Sequence, residues 1–149
     1  MPTVEAGRWP SKAYVGEVVP FSAVVFREGH DALGVELLIT APSGSQTVHR
    51  LSAGAPGSDL WHGQILIREQ GTYKFSIRAF SDEYETWHHN ANVKLAVGVD
   101  EELMMLEGIA LFARAIAEKE RSKANSKVLL AATEILKDSK RTAEARFKL

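Results

Sequence analysis

The chain has 149 residues, 45% of them hydrophobic and 25% charged, with 18 Lys and Arg against 19 Asp and Glu and a formal net charge of −1. That is the composition of one globular domain, or one domain with an appendage, and the charge balance argues against a nucleic-acid footprint or an anionic-membrane anchor. No cysteine is present, which excludes disulfides, thiol catalysis and cysteine-ligated zinc.

Residues 1–17 carry Gly7, Pro10 and Gly16 and predict an extended, loop-like opening. No apolar run follows Met1 and no segment reaches membrane-spanning length, so the expected setting is cytoplasmic. Residues 18–26 predict a strand with Val19, Phe21, Ala23 and Val25 on one face. Pro20 lacks an amide donor, so this strand starts there or lies at a sheet edge. A polar turn at 27–31 leads to a second strand at 33–40 with Val35, Leu37 and Ile39 inward. Residues 41–45 are a turn by composition, 47–51 a short strand and 52–59 a flexible loop. Residues 60–67 follow as a strand with Trp61, Ile65 and Ile67 on one face, where Gly63 marks a bulge or a close approach.

The stretch at 71–94 predicts a hairpin. In its first arm Tyr73, Phe75, Ile77 and Ala79 alternate with Lys74, Ser76 and Arg78, and the acidic turn Ser81-Asp82-Glu83 leads into a second strand through Trp87, Val93, Leu95 and Val97. Six or seven short strands with no helix between them predict a mainly β fold, an immunoglobulin-like antiparallel β-sandwich over residues 1–99.

At Asp100 the character changes. Asp100 is expected to cap a helix whose first turn carries Glu101 and Glu102. Over 103–117 one stripe holds Leu103, Leu106, Ala110, Ala113 and Ala117, an adjacent one Met105, Ile109, Phe112 and Ile116, with Met104 and Leu111 on the far side. A helix so apolar all round is normally buried from several directions. A charged connector at 118–127 leads to a second helix with Val128, Leu129, Ala132, Ile135 and Leu136 on one face, and 138–149 is highly charged. Residues 100–149 thus predict an α-helical hairpin, half of a bundle whose other half comes from a partner chain or from further sequence.

Candidate chemistry is sparse. His88 and His89, as strand neighbours, would point to opposite faces and could not share an ion, and no H-E-x-x-H spacing exists, so no metal or other cofactor is expected. Asp82, Glu83 and Glu85 crowd one turn, whereas glycoside chemistry needs two carboxyls facing each other across a sugar, about 5–9 Å apart. No G-x-S-x-G elbow and no phosphate loop are present, and no catalytic residue is expected in this chain. Trp61, Phe80, Tyr84 and Trp87 could form a sugar-stacking platform. Trp61 is expected in the core instead, and for Trp87 core and sugar contact stay open.

Five strings resemble, in order, the N-terminal region of the bacterial α-1,4-glucan:maltose-1-phosphate maltosyltransferases of the α-amylase superfamily. They are G-R-W-P-S-K-A-Y-V-G-E (7–17), F-R-E-G-H-D (26–31), S-D-E-Y-E-T-W-H-H (81–89), V-K-L-A-V-G (93–98) and L-E-G-I-A-L-F (106–112). The resemblance covers essentially the whole chain. Where that family often carries a tryptophan-rich turn, this chain has Phe80 and Tyr84. The resemblance implies a β-sandwich with a helical segment, both helping to form a homodimer, in a longer enzyme whose catalytic (β/α)-barrel lies downstream and works by a retaining mechanism. From the residues themselves, an α-glucan is a possible partner with Trp87, Tyr84 and His88 as candidate carbohydrate contacts, and on the over-apolar helix Leu106, Ile109, Phe112 and Ile116 are the expected dimer interface. An independent carbohydrate-binding module and a purely structural interaction domain are the competing expectations.

Overall fold

A computed structural model describes residues 2–118 and 121–148; residues 119 and 120 of the charged connector, with 1 and 149, lie outside the described residues. The chain divides into two compact units, Met1–Ser81 and Asp82–Leu149. The change of character in the sequence falls later, at Asp100, because a helix occupies the place expected for the hairpin's second arm.

The first unit holds six strands: β1 (Val18–Val24), β2 (Leu33–Thr40), β3 (Gln46–Arg50), β4 (Ser52–Ala53), β5 (Leu60–Leu66) and β6 (Lys74–Ser81). They form two antiparallel three-stranded sheets, in the orders β1-β5-β4 and β3-β2-β6. Alternation decides which side chains turn inward. Val35 and Leu37 of β2 are fully buried, Ile39 nearly so, and they share one core with Phe21 of β1, Ile65 of β5, Ile67 and Leu51. Phe21 meets Phe75 of β6 edge-on at 5.1 Å between ring centroids, a favoured aromatic geometry.

Pro20 sits opposite Gln64 in β1, which pairs with β5 alone, so its missing amide donor falls on an edge strand. Gly63 lies opposite Phe21, and a Cβ there would run into Leu51 Cδ2, so the close approach expected at this glycine is made by a core leucine. On the outer face Phe80 lies over its cross-strand neighbour Gly34, and the Arg50 guanidinium sits 5.1 Å from the Phe80 ring centroid.

Residues 71–94 do not form a hairpin. The first arm is β6, but it pairs with β2, and the second arm is helical. The second unit is made of α1 (Glu83–Leu95), α2 (Glu101–Ala117), α3 (Lys123–Lys137) and α4 (Ala143–Phe147). Asp82 starts α1: its carboxylate accepts from the Glu85 amide at 3.0 Å, satisfying one of the donors a helix start leaves open. Trp87, Ala91 and Leu95, four apart, are the buried residues of α1, a helical spacing that competes with the period-two pattern in the same stretch.

Asp100 occupies the N-cap position of α2 but in a left-handed conformation (φ 54°), and its carboxylate accepts from Lys94 Nζ at 3.1 Å instead of from a helix amide. Ser122 and Thr142 cap α3 and α4 through their hydroxyls. One core joins all four helices: Trp87, Ala91 and Leu95, then Met104, Met105 and Phe112, then Leu136, then Ala143. The unit is therefore four helices and not a two-helix hairpin, with α1 and α4 covering apolar surface that α2 and α3 alone would leave open. Val128, expected inward on α3, is 68% exposed, and Thr133 takes a buried place, its hydroxyl donating to the Leu129 carbonyl at 2.7 Å. Because helices contribute more residues than strands, the chain is mixed α and β and not mainly β. None of its described helices is long and apolar enough to cross a membrane.

Candidate interaction surfaces

The aromatic side chains expected to meet a sugar are gathered on α1. Trp87 is 5% exposed, and its indole Nε1 donates to the Met104 carbonyl at 2.8 Å. Phe112 and Phe147 meet the indole edge-on at 5.5 and 5.6 Å between centroids, and Tyr84 stands 5.9 Å away. At this exposure Trp87 is a member of the helical core. Tyr84 is 44% exposed and stacks on His88 at 5.7 Å, and His88 stacks on Phe147 at 5.0 Å. Tyr84 is thus the one member of the trio with substantial exposure, and its ring is engaged by His88. In the sheet unit Trp61 is half-buried against the core and donates its Nε1 to the Val25 carbonyl at 3.2 Å.

The acidic cluster has structural partners. Asp82 caps α1, and Glu83 pairs with Arg114 of α2 at 2.6 Å, both ends well exposed. His88 and His89 are consecutive on a helix and not on a strand, and among the described residues no group of three or more His, Asp and Glu is placed to hold a metal. A cavity of about 570 Å³ opens in the sheet unit, floored by Phe21, Ile39, Ile65 and Phe75. At its rim the Tyr73 hydroxyl accepts from the Glu69 amide at 3.2 Å, and the Glu69 carboxylate accepts from Ser43 Oγ at 2.8 Å.

One buried charge escaped the sequence patterns. Arg146, in the stretch expected to be a charged tail, is 4% exposed. It donates to the Glu102 carboxylate and to the Leu136 carbonyl, while its Nε has no partner. That hydrogen bond, with the nearby positive charge, holds the Glu102 carboxyl below the usual carboxylate range against a smaller opposing effect of desolvation. The usable signal was Thr142 followed by Ala143, Arg146 and Phe147, a capping residue ahead of an i, i+3, i+4 face.

The faces of α2 are distributed differently from expectation. Met104, Met105, Gly108 and Phe112 are buried. Leu106 is 61% exposed, Ile109 and Ile116 are half-buried, and Phe112 is 3% exposed against Trp87. Of the four residues expected at a dimer interface, Phe112 is therefore spent on the chain's own core and Leu106 is the most available. Leu103, Ala110, Ala113 and Ala117 share the outward face with Leu106. This is the largest run of outward apolar side chains on a described helix.

Comparison with known proteins matches residues 1–149 to the family described as alpha-1,4-glucan:maltose-1-phosphate maltosyltransferase, domain N/S. The chain is 38% identical over 147 residues to alpha-1,4-glucan:maltose-1-phosphate maltosyltransferase 1 of Streptomyces coelicolor, covering 98% of this chain and 22% of that protein. It is 37% identical over 139 residues to maltosyltransferase 2 of the same organism (93% and 21%) and 33% identical over 141 residues to the enzyme of Corynebacterium pseudotuberculosis (93% and 21%). The chain thus spans about a fifth of the length of these relatives.

Proposed function

Since the chain belongs to the alpha-1,4-glucan:maltose-1-phosphate maltosyltransferase family and corresponds to its domain N/S, we propose that it is the accessory and dimerisation domain of such an enzyme and has no activity by itself. In this proposal the two sheets are an immunoglobulin-like sandwich, supported by the single core they share. The parent enzyme, in the cytoplasm, transfers maltosyl units from maltose 1-phosphate to the non-reducing end of an α-1,4-glucan, using a catalytic barrel outside these 149 residues.

The observation that carries the proposal is the family match along the whole chain, joined to coverage of only a fifth of its relatives. The outward apolar face of α2 supports it as well. Incubating the 149-residue chain with maltose 1-phosphate and maltohexaose should release no phosphate, and measurable turnover would overturn the assignment. A carbohydrate-binding module is the less favoured function, because Trp87 is buried. Titration with maltoheptaose should leave the tryptophan fluorescence unchanged; a saturable response abolished by Tyr84→Ala would favour the module instead.

A further inference from the structure

The two sheets differ on their outer faces. An antiparallel sheet that packs on one side and meets water on the other alternates apolar inward with polar outward residues. The sheet β3-β2-β6 follows that pattern: outward, Glu36 lies between Arg50 and Arg78 across the strands, and Lys74 lies opposite Thr40. The sheet β1-β5-β4 does not. Phe21 and Ile65 take its inward positions, so the outward pairs along β1 and β5 begin with Val18 opposite Leu66 and end with Val24 opposite Leu60. Between them Pro20 faces Gln64 and Ser22 faces His62. None of these side chains is Lys, Arg, Asp or Glu. Val24 is 67% exposed, and Val18 and Leu66 are exposed as well.

Strands apolar on both faces are those covered on both sides, and a contiguous uncharged patch on the surface marks a contact site. We propose that the outer face of β1 and β5 is the docking surface for the catalytic barrel of the same polypeptide. This rests on the function proposed above and assigns the face by which the accessory domain is held.

Size decides between a tethered neighbour and a free one. The four outward pairs supply eight residues, whereas a stable complex of separate chains uses roughly 20–30 a side. A covalent link lowers that requirement, because it holds the neighbour at a high effective concentration. The matched region is 22% of the length of maltosyltransferase 1 of Streptomyces coelicolor, which leaves ample chain to supply that neighbour. The surface it presents is apolar and uncharged, since Gln64 and His62 offer hydrogen-bonding groups but no counter-ion. A Lys or Asp brought against this face would be desolvated and left unpaired.

The chain has no cysteine, so single introduced thiols report the face. Val24→Cys is compared with Val48→Cys, an exposed outward position of the other sheet. Each is made in the 149-residue chain and in the protein extended through its own reading frame. Labelling with N-ethylmaleimide is followed peptide by peptide in a mass spectrometer. In the 149-residue chain both positions should label at comparable rates. In the extended protein position 24 should slow about tenfold or more and position 48 should not, at every protein concentration. A Val18→Cys probe should be protected likewise, and adding Val24→Lys should return it to the rate of the shorter chain. Circular dichroism verifies that each variant keeps its fold. Position 24 labelling equally fast in both proteins, or both positions slowing alike, would overturn the docking and leave the accessory role standing. Protection that disappears on dilution, or that the 149-residue chain already shows, would give the face to a second copy and overturn it too. A reading frame with no barrel after residue 149 would sink the proposed function and the docking together.

Discussion

Gly108 shows how one residue sets the spacing of the helical core. A Cβ at this position would meet Trp87 Cε2 at 2.7 Å and Leu136 Cδ1 at 3.0 Å. Trp87 cannot swing aside easily, because its Nε1 is tied to the Met104 carbonyl and its edges are bracketed by Phe112 and Phe147. Two effects oppose each other in Gly108→Ala. Helix propensity gains about 1 kcal/mol, overpacking loses about 1–3 kcal/mol, and the expected net is a destabilisation of up to about 2 kcal/mol. Urea unfolding followed by tryptophan fluorescence measures it. Trp87→Ala should cost more, about 3–5 kcal/mol, because it empties the centre of the cluster. That centre was only half legible in the sequence. Trp87 invited two roles because an isolated indole near acidic residues carries no mark of what surrounds it, and its neighbours come from two other helices, Met104 and Phe112 from α2 and Phe147 from α4.

Among elements, α4 is tied to α2 by an ion pair between Arg146 and Glu102. Arg146 is buried, Glu102 is largely exposed, and the folded-state carboxyl of Glu102 lies below its ordinary value because Arg146 donates to it. A depressed carboxylate contributes stability that is fully present above the unfolded-state pKa, ~4.3 for Glu, and lost as pH falls through the folded value. The helical unit should therefore lose stability in acid beyond the general loss, and Glu102→Gln should flatten that acid limb in melting temperatures recorded between pH 7 and 2.5. Arg146→Met should be better tolerated than Glu102→Ala, since only the latter leaves a buried charge without its counter-ion. Legibility also varied by element. β2 was readable because Val35, Leu37 and Ile39 alternate with Glu36, Leu38 and Thr40, of which Glu36 and Thr40 are polar. The helix α1 was missed because Trp87, Val93, Leu95 and Val97 also alternate, and that pattern masked Trp87, Ala91 and Leu95. The D-x-x-E string Asp82-Glu83-Tyr84-Glu85, a helix-start signature, was the signal that discriminated between them. In α2 the helix was plain but its phase was not, since a cylinder apolar on every side does not announce which side faces in.

For the whole molecule, the two cores have no residue in common: one draws only on strands and the residues next to them, the other only on helices. Two cores without shared members should unfold as two events and not one. In a Trp9→Phe background Trp61 reports the sheet core and Trp87 the helical one, so denaturation of Trp61→Phe and Trp87→Phe variants should give different midpoints. Gly108→Ala should move only the transition reported by Trp61→Phe, the variant that keeps Trp87. Coincident midpoints in both variants would mean that the units melt as one. The two-sheet arrangement also has a consequence for handling the protein. β6 is eight residues long, pairs on one side only and contains no proline, while its fellow edge β1 carries Pro20. A long unprotected edge is a template onto which another chain's strand can add, so prolonged incubation should seed cross-β fibrils along β6. The outward charges Lys74 and Arg78 are what stand against this, and removing them should shorten the lag before thioflavin fluorescence rises.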